Sequence, residues 1–243
     1  CIPQDVDVCG VCFGDDASCQ QLGDINGDGY LDVLDVVITI NIVLVDGYDE
    51  IGDINSDGIL NVLDIVLLVN IVLGNDLARG DATTEVTVYY GNEKIQYTAD
   101  GNLAGIQFEV IGDYTITDNS LPDGWEIVYN ESIILLYSIN GSSLTDKTLF
   151  EYTGDFKIES VIAADWFESA INVSTILIPK EFNLSPAYPN PFNPTTKLNF
   201  SIPVDSKVSL SIYNLQGREV TTLINGTMQA GYHSAKWNAN QYS

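Results

Sequence analysis

The chain has 243 residues, 45% of them apolar, and 34 acidic residues against 9 basic ones give a net charge of −25 and an isoelectric point near 4.1. That apolar share is enough for a folded core and excludes a disordered chain, and the length suits one large domain or two to three small ones. So much negative charge repels phosphate backbones and anionic lipid alike, which excludes nucleic-acid binding and disfavours a membrane surface.

In chain order, all four cysteines come first, at Cys1, Cys9, Cys12 and Cys19. An even number in a tight cluster without a neighbouring His reads as two disulfides and an oxidising compartment. A CxxC metal site at Cys9 and Cys12 and a lipidated Cys1 are the competing readings. Cys9-Gly-Val-Cys12-Phe-Gly-Asp15-Asp16, closed by Cys19, resembles the CGVCxGDxxSC blocks of secreted matrix-type proteins. The chain starts without Met or a signal peptide, so the expectation is an N-terminus that has either been cut or lies upstream of this sequence. Its longest apolar runs are broken by polar residues, so no membrane span and no membrane insertion is expected.

A repeat with a period of 29 residues follows: Gly23-Asp24-Ile25-Asn26-Gly27-Asp28-Gly29 returns as Gly52-Asp53-Ile54-Asn55-Ser56-Asp57-Gly58. Each copy runs into an apolar stretch, Val33–Val45 and Val62–Leu73, and reads as an acidic loop feeding a three-turn helix. An EF-hand-type loop needs oxygen ligands at positions 1, 3, 5, 7 (a backbone carbonyl), 9 and 12, with Gly at 6. The first copy supplies Asp24, Asn26, Asp28, Tyr30, Asp32 and Asp35 around Gly29, and the second Asp53, Asn55, Asp57, Ile59, Asn61 and Asp64 around Gly58. Two Ca2+ sites are therefore expected, the first tighter because it has one more carboxylate. Solvated acidic turns are the plain alternative, and they leave the recurrence of every ligand position unexplained. Clustered carboxylates repel one another, so residues 21–75 are expected to fold only with calcium.

This paired loop–helix pattern resembles the dockerin module, whose helices dock onto cohesins. Positions 10 and 11 depart from the frequent Ser-Thr pair, being Val33-Leu34 and Val62-Leu63. Helices so apolar all round must be covered by a neighbouring domain or another subunit, which argues against a reversible plug.

From Glu85 to Pro179 the apolar period becomes two, in the runs Val86–Tyr90, Ile95–Tyr97, Ile106–Val110, Ile133–Ile139, Leu149–Tyr152, Ile158–Ile162 and Ile171–Ile178. Short strands at that spacing predict a β-sandwich. Leu103-Ala-Gly-Ile-Gln-Phe-Glu-Val110, with Gly124-Trp125 and Tyr137-Ser-Ile-Asn-Gly141, resembles a cohesin or a related jelly roll. Trp125 and Trp166 are candidates for a sugar platform, with core burial as the commoner fate of a Trp in such a sandwich.

Four prolines between Pro186 and Pro194 mark a second break, after which Leu198–Ile202, Val208–Tyr213, Glu219–Leu223 and His233–Trp237 read as strands. Ala187-Tyr-Pro-Asn-Pro-Phe-Asn-Pro-Thr195, Tyr213-Asn-Leu-Gln-Gly217 and Ala230-Gly-Tyr-His-Ser-Ala-Lys-Trp237 resemble the C-terminal sorting domain of the bacterial type IX secretion system. The resemblance implies an Ig-like fold, export across the outer membrane, and an extracellular or cell-surface location. Members of that family continue with a further Gly-Val-Tyr-type strand and a final strand, so the β domain is expected to be incomplete and its sheet edge open to strand addition.

The charge divides with these modules. Residues 1–78 hold fifteen acidic and no basic residues, whereas from Phe182 onward Lys197, Lys207, Arg218 and Lys236 stand against Asp205 and Glu219. The single histidine, His233, lies in the sorting motif and reads as structural; no catalytic set is named and no enzyme is expected. Sequons at Asn130, Asn140, Asn172, Asn183, Asn199 and Asn225 are candidate glycosylation sites.

The expected fold class is mainly β and multidomain: a disulfide segment (1–20), a dockerin-like α-helical calcium module (21–78), a cohesin-like sandwich (84–180) and an Ig-like sorting domain (182–243). The expected function is a non-catalytic, calcium-stabilised subunit of an extracellular fibre or surface layer. Its partner is another copy, head to tail, or a cohesin- or dockerin-type protein. The alternatives are an accessory region of a secreted polysaccharide-degrading enzyme and a carbohydrate-binding adhesin.

Overall fold

The computed structural model describes residues 21–74, 80–144, 147–167 and 169–240. The segment 1–20, with its cysteines and their disulfides, lies outside the described residues. Two helices come first, α1 (Val33–Leu44) and α2 (Val62–Val72). Each starts where an oxygen-bearing side chain can receive its first free N–H groups. Asp32 accepts from Leu34 N–H and Asn61 from Leu63 N–H, and Asp35 and Asp64 reach back to close capping boxes. Among the described residues no helix is long and apolar enough to cross a membrane.

Nine strands follow: β1 (Glu85–Gly91), β2 (Lys94–Ala99), β3 (Gly105–Ile111), β4 (Tyr114–Asn119), β5 (Trp125–Tyr129), β6 (Ile133–Ser138), β7 (Thr148–Gly154), β8 (Lys157–Ala164) and β9 (Asn172–Leu177). Seven coincide with the expected runs. β4 and β5 are additions, since exposed polar residues and a single well-buried position hide their alternation. The strands form two sheets, ordered β5-β6-β3-β8 and β4-β7-β2-β1-β9.

The described residues make two compact units. One runs to Thr87 and resumes at Tyr97–Ser174; the other is Val88–Gln96 with the residues from Thr175 onward. In the first unit, β3 has two working faces. Phe108 points inward and meets Phe150 of β7 edge-on, with ring centroids 5.9 Å apart. Gly105 and Gln107 point the other way, in register with Tyr137 and Leu135 of β6 and with Ala164 and Ile162 of β8. That second face carries the helices. Val62, Ile65, Val66, Leu68 and Val69 of α2 share one core with Ala104, Ile133, Leu135, Tyr137, Ala164 and Trp166. Burying each such aliphatic side chain is worth about 1.5–3 kcal/mol.

The cover for the helices is thus the chain's own sandwich, and it is partial. α2 is enclosed, but α1 keeps Val33, Leu34 and Val37 exposed at 63%, 54% and 48%. A neighbouring domain supplies the expected cover for the second repeat, whereas among the described residues the outer stripe of the first has none. Glycine sets how closely α2 approaches. A Cβ at Gly105 would stand 2.7 Å from Val62 Cγ2 and 2.9 Å from Val66 Cγ2.

The second unit adds β10 (Asn183–Leu184), β11 (Thr195–Ile202), β12 (Ser206–Tyr213), β13 (Glu219–Met228) and β14 (Gly231–Asn238). They form the sheets β10-β11-β14 and β12-β13. Phe200, Ile202 and Ala235 make its small core, with Val208, Leu210, Leu223, Ile224 and Met228 half-buried against them. β13 runs five residues past its expected end at Leu223, pairing along the whole of β12 with irregularities at Leu210/Ser211 and Ile212/Tyr213.

Candidate metal centre

The two acidic loops fold alike. Gly29 and Gly58, at the sixth loop position, have φ of +86° and +83°, and nothing lies within 4 Å of where a Cβ would stand. Backbone conformation, and not space, is what demands glycine there. The fourth position is also left-handed, at Gly27 and at Ser56.

These turns aim N–H groups at the first carboxylate. Asp24 accepts from Gly27, Asp28 and Gly29 at 2.9, 3.1 and 2.9 Å. Asp53 accepts from Asp57 and Gly58 at 3.1 and 2.9 Å, and the Tyr48 hydroxyl donates to it at 3.0 Å. That donated bond, ahead of desolvation and the surrounding acidic charges, raises the Tyr48 pKa. The third and fifth positions pair in both loops, with the Asn26 amide on Asp28 and the Asn55 amide on Asp57, each at 3.0 Å.

The twelfth position closes each loop from below. Asp35 accepts from the N–H groups of Ile25, Asn26 and Asp32, and Asp64 from those of Asn55 and Asn61. Both carboxyl groups are fully buried. Burial pushes Asp64 up to about 6; the N–H groups of Asn61 and Asn55 oppose it, and the charges of Asp53 and Asp57 add to it. Asp32 and Asn61, at the ninth position, spend an oxygen on helix caps. Tyr30 and Ile59, expected to offer only a carbonyl, expose their side chains.

Does a calcium ion fit? Two carboxylates of each loop are out of water, in a region whose sequence has no Lys or Arg before residue 79. Buried charge without a counter-charge is costly, and a hard divalent cation with oxygen ligands is the chemistry that relieves it. Among the described residues, no three Asp, Glu, His or Cys side chains form a group able to hold a metal by themselves. A site in either loop therefore also needs the Asn oxygen and the backbone carbonyl, as EF-hand-type coordination does. The donor set fits on those terms.

Two contributors were not legible beforehand. Tyr48 lies outside the repeat, and no pattern marks it. Gln107 accepts the buried N–H of Val62 at 3.0 Å, standing in for a cap at the first residue of α2.

The other candidates separate cleanly. Trp125 and Trp166 are each 6% exposed, and Trp125 Nε1 donates to the Ser142 carbonyl at 2.9 Å, so neither is a sugar platform. His233 stacks on Phe200 at 5.4 Å with Nε2 2.8 Å from the Gln229 carbonyl, a structural placement. An open groove of about 590 Å3 is lined by Asp113, Tyr114, Tyr129, Asn130 and Glu131. Of the sequon residues, Asn130 is engaged at both ends: its amide donates to the Leu44 carbonyl, and its oxygen accepts from Ser132 and Ile133. Asn140, Asn172, Asn183, Asn199 and Asn225 are exposed.

Residues 186–243 match the family of secretion system C-terminal sorting domains. The match covers β11 to β14. No curated protein matches the chain. A type IX sorting domain indicates export, so the protein is extracellular or attached at the cell surface.

Proposed function

We propose that this exported protein is a non-catalytic structural component of the cell exterior, a subunit of a fibre or surface layer whose dockerin-like module is stabilised by two calcium ions. Asp24, Asn26, Asp28, Asp32, Asp35 and the Tyr30 carbonyl would hold one ion. Asp53, Asn55, Asp57, Asn61, Asp64 and the Ile59 carbonyl would hold the other. Bound calcium supplies the positive charge that the buried carboxylates lack; the N–H groups around Asp24 and Asp53 orient the ligands. The observation that carries the reading is the fusion of these loops to the sandwich through α2, which makes the loops part of a permanent fold. Assembly is supported by the exposed stripe Val33, Leu34 and Val37 on α1, since contiguous apolar surface of this kind marks an interaction face.

Electron microscopy of the purified chain with calcium and then with chelator tests this. Regular fibres or sheets that disperse on chelation, and that Val33→Lys with Val37→Lys prevents, are expected; dispersed particles in calcium at high concentration would sink the reading. A second reading, the accessory region of a secreted polysaccharide-degrading enzyme, is favoured by the groove beside Tyr114 and Tyr129, where aromatic rings and carboxylates suit a sugar.

A further inference from the structure

The outer face of the β10-β11-β14 sheet carries an arrangement that the structural role leaves unused. Lys197 and Lys236 stand directly opposite each other on β11 and β14. Lys197 exchanges both backbone hydrogen bonds with Tyr188 on its other side, each 3.0 Å. The lysine pair is therefore of the narrow kind, without mutual backbone bonds, in which opposed side chains come closest. Like charges directly opposite destabilise a sheet. Among the described residues neither lysine has an ion-pair partner, in a chain with 34 acidic residues.

The rows that follow on the same face are hydroxyl and amide groups. Asn199 opposes Ser234, and Ser201 opposes Tyr232, with Asn183 beside Ser201 on β10. A cavity of about 420 Å3 opens over them, with Ser185 also on its wall. Tyr232 and Tyr188, 65% and 79% exposed, present aromatic rings to solvent. Two ammonium groups at one end of a strip of hydroxyls and amides, flanked by tyrosine rings, match one ligand chemistry: sugar rings bearing anionic groups.

We propose that this sheet face binds an acidic glycan, with Lys197 and Lys236 on its anionic groups and Asn183, Asn199, Ser234 and Tyr232 on its hydroxyls and rings. The inference does not depend on the calcium loops. Titration of the full chain with oligogalacturonate and with dextran sulfate, against oligomaltose as the uncharged control, tests it. Binding of an acidic probe should weaken at least tenfold in the Lys197→Gln, Lys236→Gln double variant, lose much of its salt dependence, and stay unchanged in Lys207→Gln. Should the double variant fail to fold, Ser234→Asp brings a repelling charge to the same face and should weaken binding comparably. The proposal is overturned if the wild-type chain binds neither acidic probe, if oligomaltose binds equally well, or if a folded variant keeps full affinity. Self-association that the double variant abolishes, without glycan binding, also overturns it, in favour of a contact with the acidic face of a second copy.

Discussion

Asp100 shows how a single exposed carboxylate couples the fold to pH. The Thr84 hydroxyl, with the N–H groups of Glu85 and Thr84, holds its carboxyl well below the ordinary 3.8, at about 2. The folded state thus favours the ionised form. Its contribution is complete above about pH 4 and is lost as pH falls through 2. Asp100→Asn should flatten that part of an acid-unfolding curve, and an unaltered acid limb would refute the assignment. Asp165 is a buried counterpart: burial pushes its carboxyl up, but donors from Thr83, Ser169 and Phe167 outweigh that and leave it lowered. Gly58 tests backbone geometry alone. Its Cβ would meet nothing, so Gly58→Ala should lose only the left-handed penalty, about 1–2 kcal/mol. Gly58→Asn should lose less, because Asn tolerates that region. Denaturant melts of the two variants check the order.

Among the elements, α2 is the one whose start depends on a residue far away in sequence. The N–H of Val62 is buried and bonded to Gln107 on β3, 45 positions on. Gln107→Ala leaves that donor without a partner, and a loss of about 1–3 kcal/mol in denaturant unfolding is expected. A change within a few tenths of a kcal/mol would mean that water replaces the side chain. Gly105→Val acts on the same contact sterically, because the valine methyl groups would enter the space of Val62 and Val66. The repeat makes the contrast internal: Val33 and Val37 occupy the same loop and helix positions as Val62 and Val66, yet the first pair faces solvent and the second is buried. Identical local sequence logic produces both helices, and their surroundings make them different.

For the whole molecule, the shared core of helices and sandwich changes what removal of the proposed calcium ions should do. A free-standing module would lose its helices on chelation while the sandwich remained. Here Ile65 and Leu68 lie in one core with Leu135 and Tyr137. Chelation should therefore lower a single melting transition, seen together by far-ultraviolet circular dichroism at helix wavelengths and by tryptophan fluorescence from Trp166. Two separated transitions would show that the helices unfold by themselves, as the loops alone lead one to expect. High salt should recover part of the lost stability in chelator, since it screens repulsion among the acidic residues.

The helix starts, the two acidic loops, seven of nine strands in the sandwich and the sorting motif were legible in the sequence because each is written in neighbouring residues. Capping boxes, left-handed glycines, two-residue alternation and a 29-residue repeat act over a few positions. Even the cover for α2 left a trace: Ile133-Ile-Leu-Leu-Tyr-Ser138 is buried at every position, where a strand with one face in water would alternate. β4 was hidden by its polar positions, and Gln107 by alternation itself, which assigns a glutamine between Ile106 and Phe108 to solvent. Which of two equal helices is enclosed, and which acceptor receives the N–H of Val62, only the tertiary structure decided. Both depend on contacts between residues tens of positions apart, and local periodicity records that a face is apolar without recording what covers it.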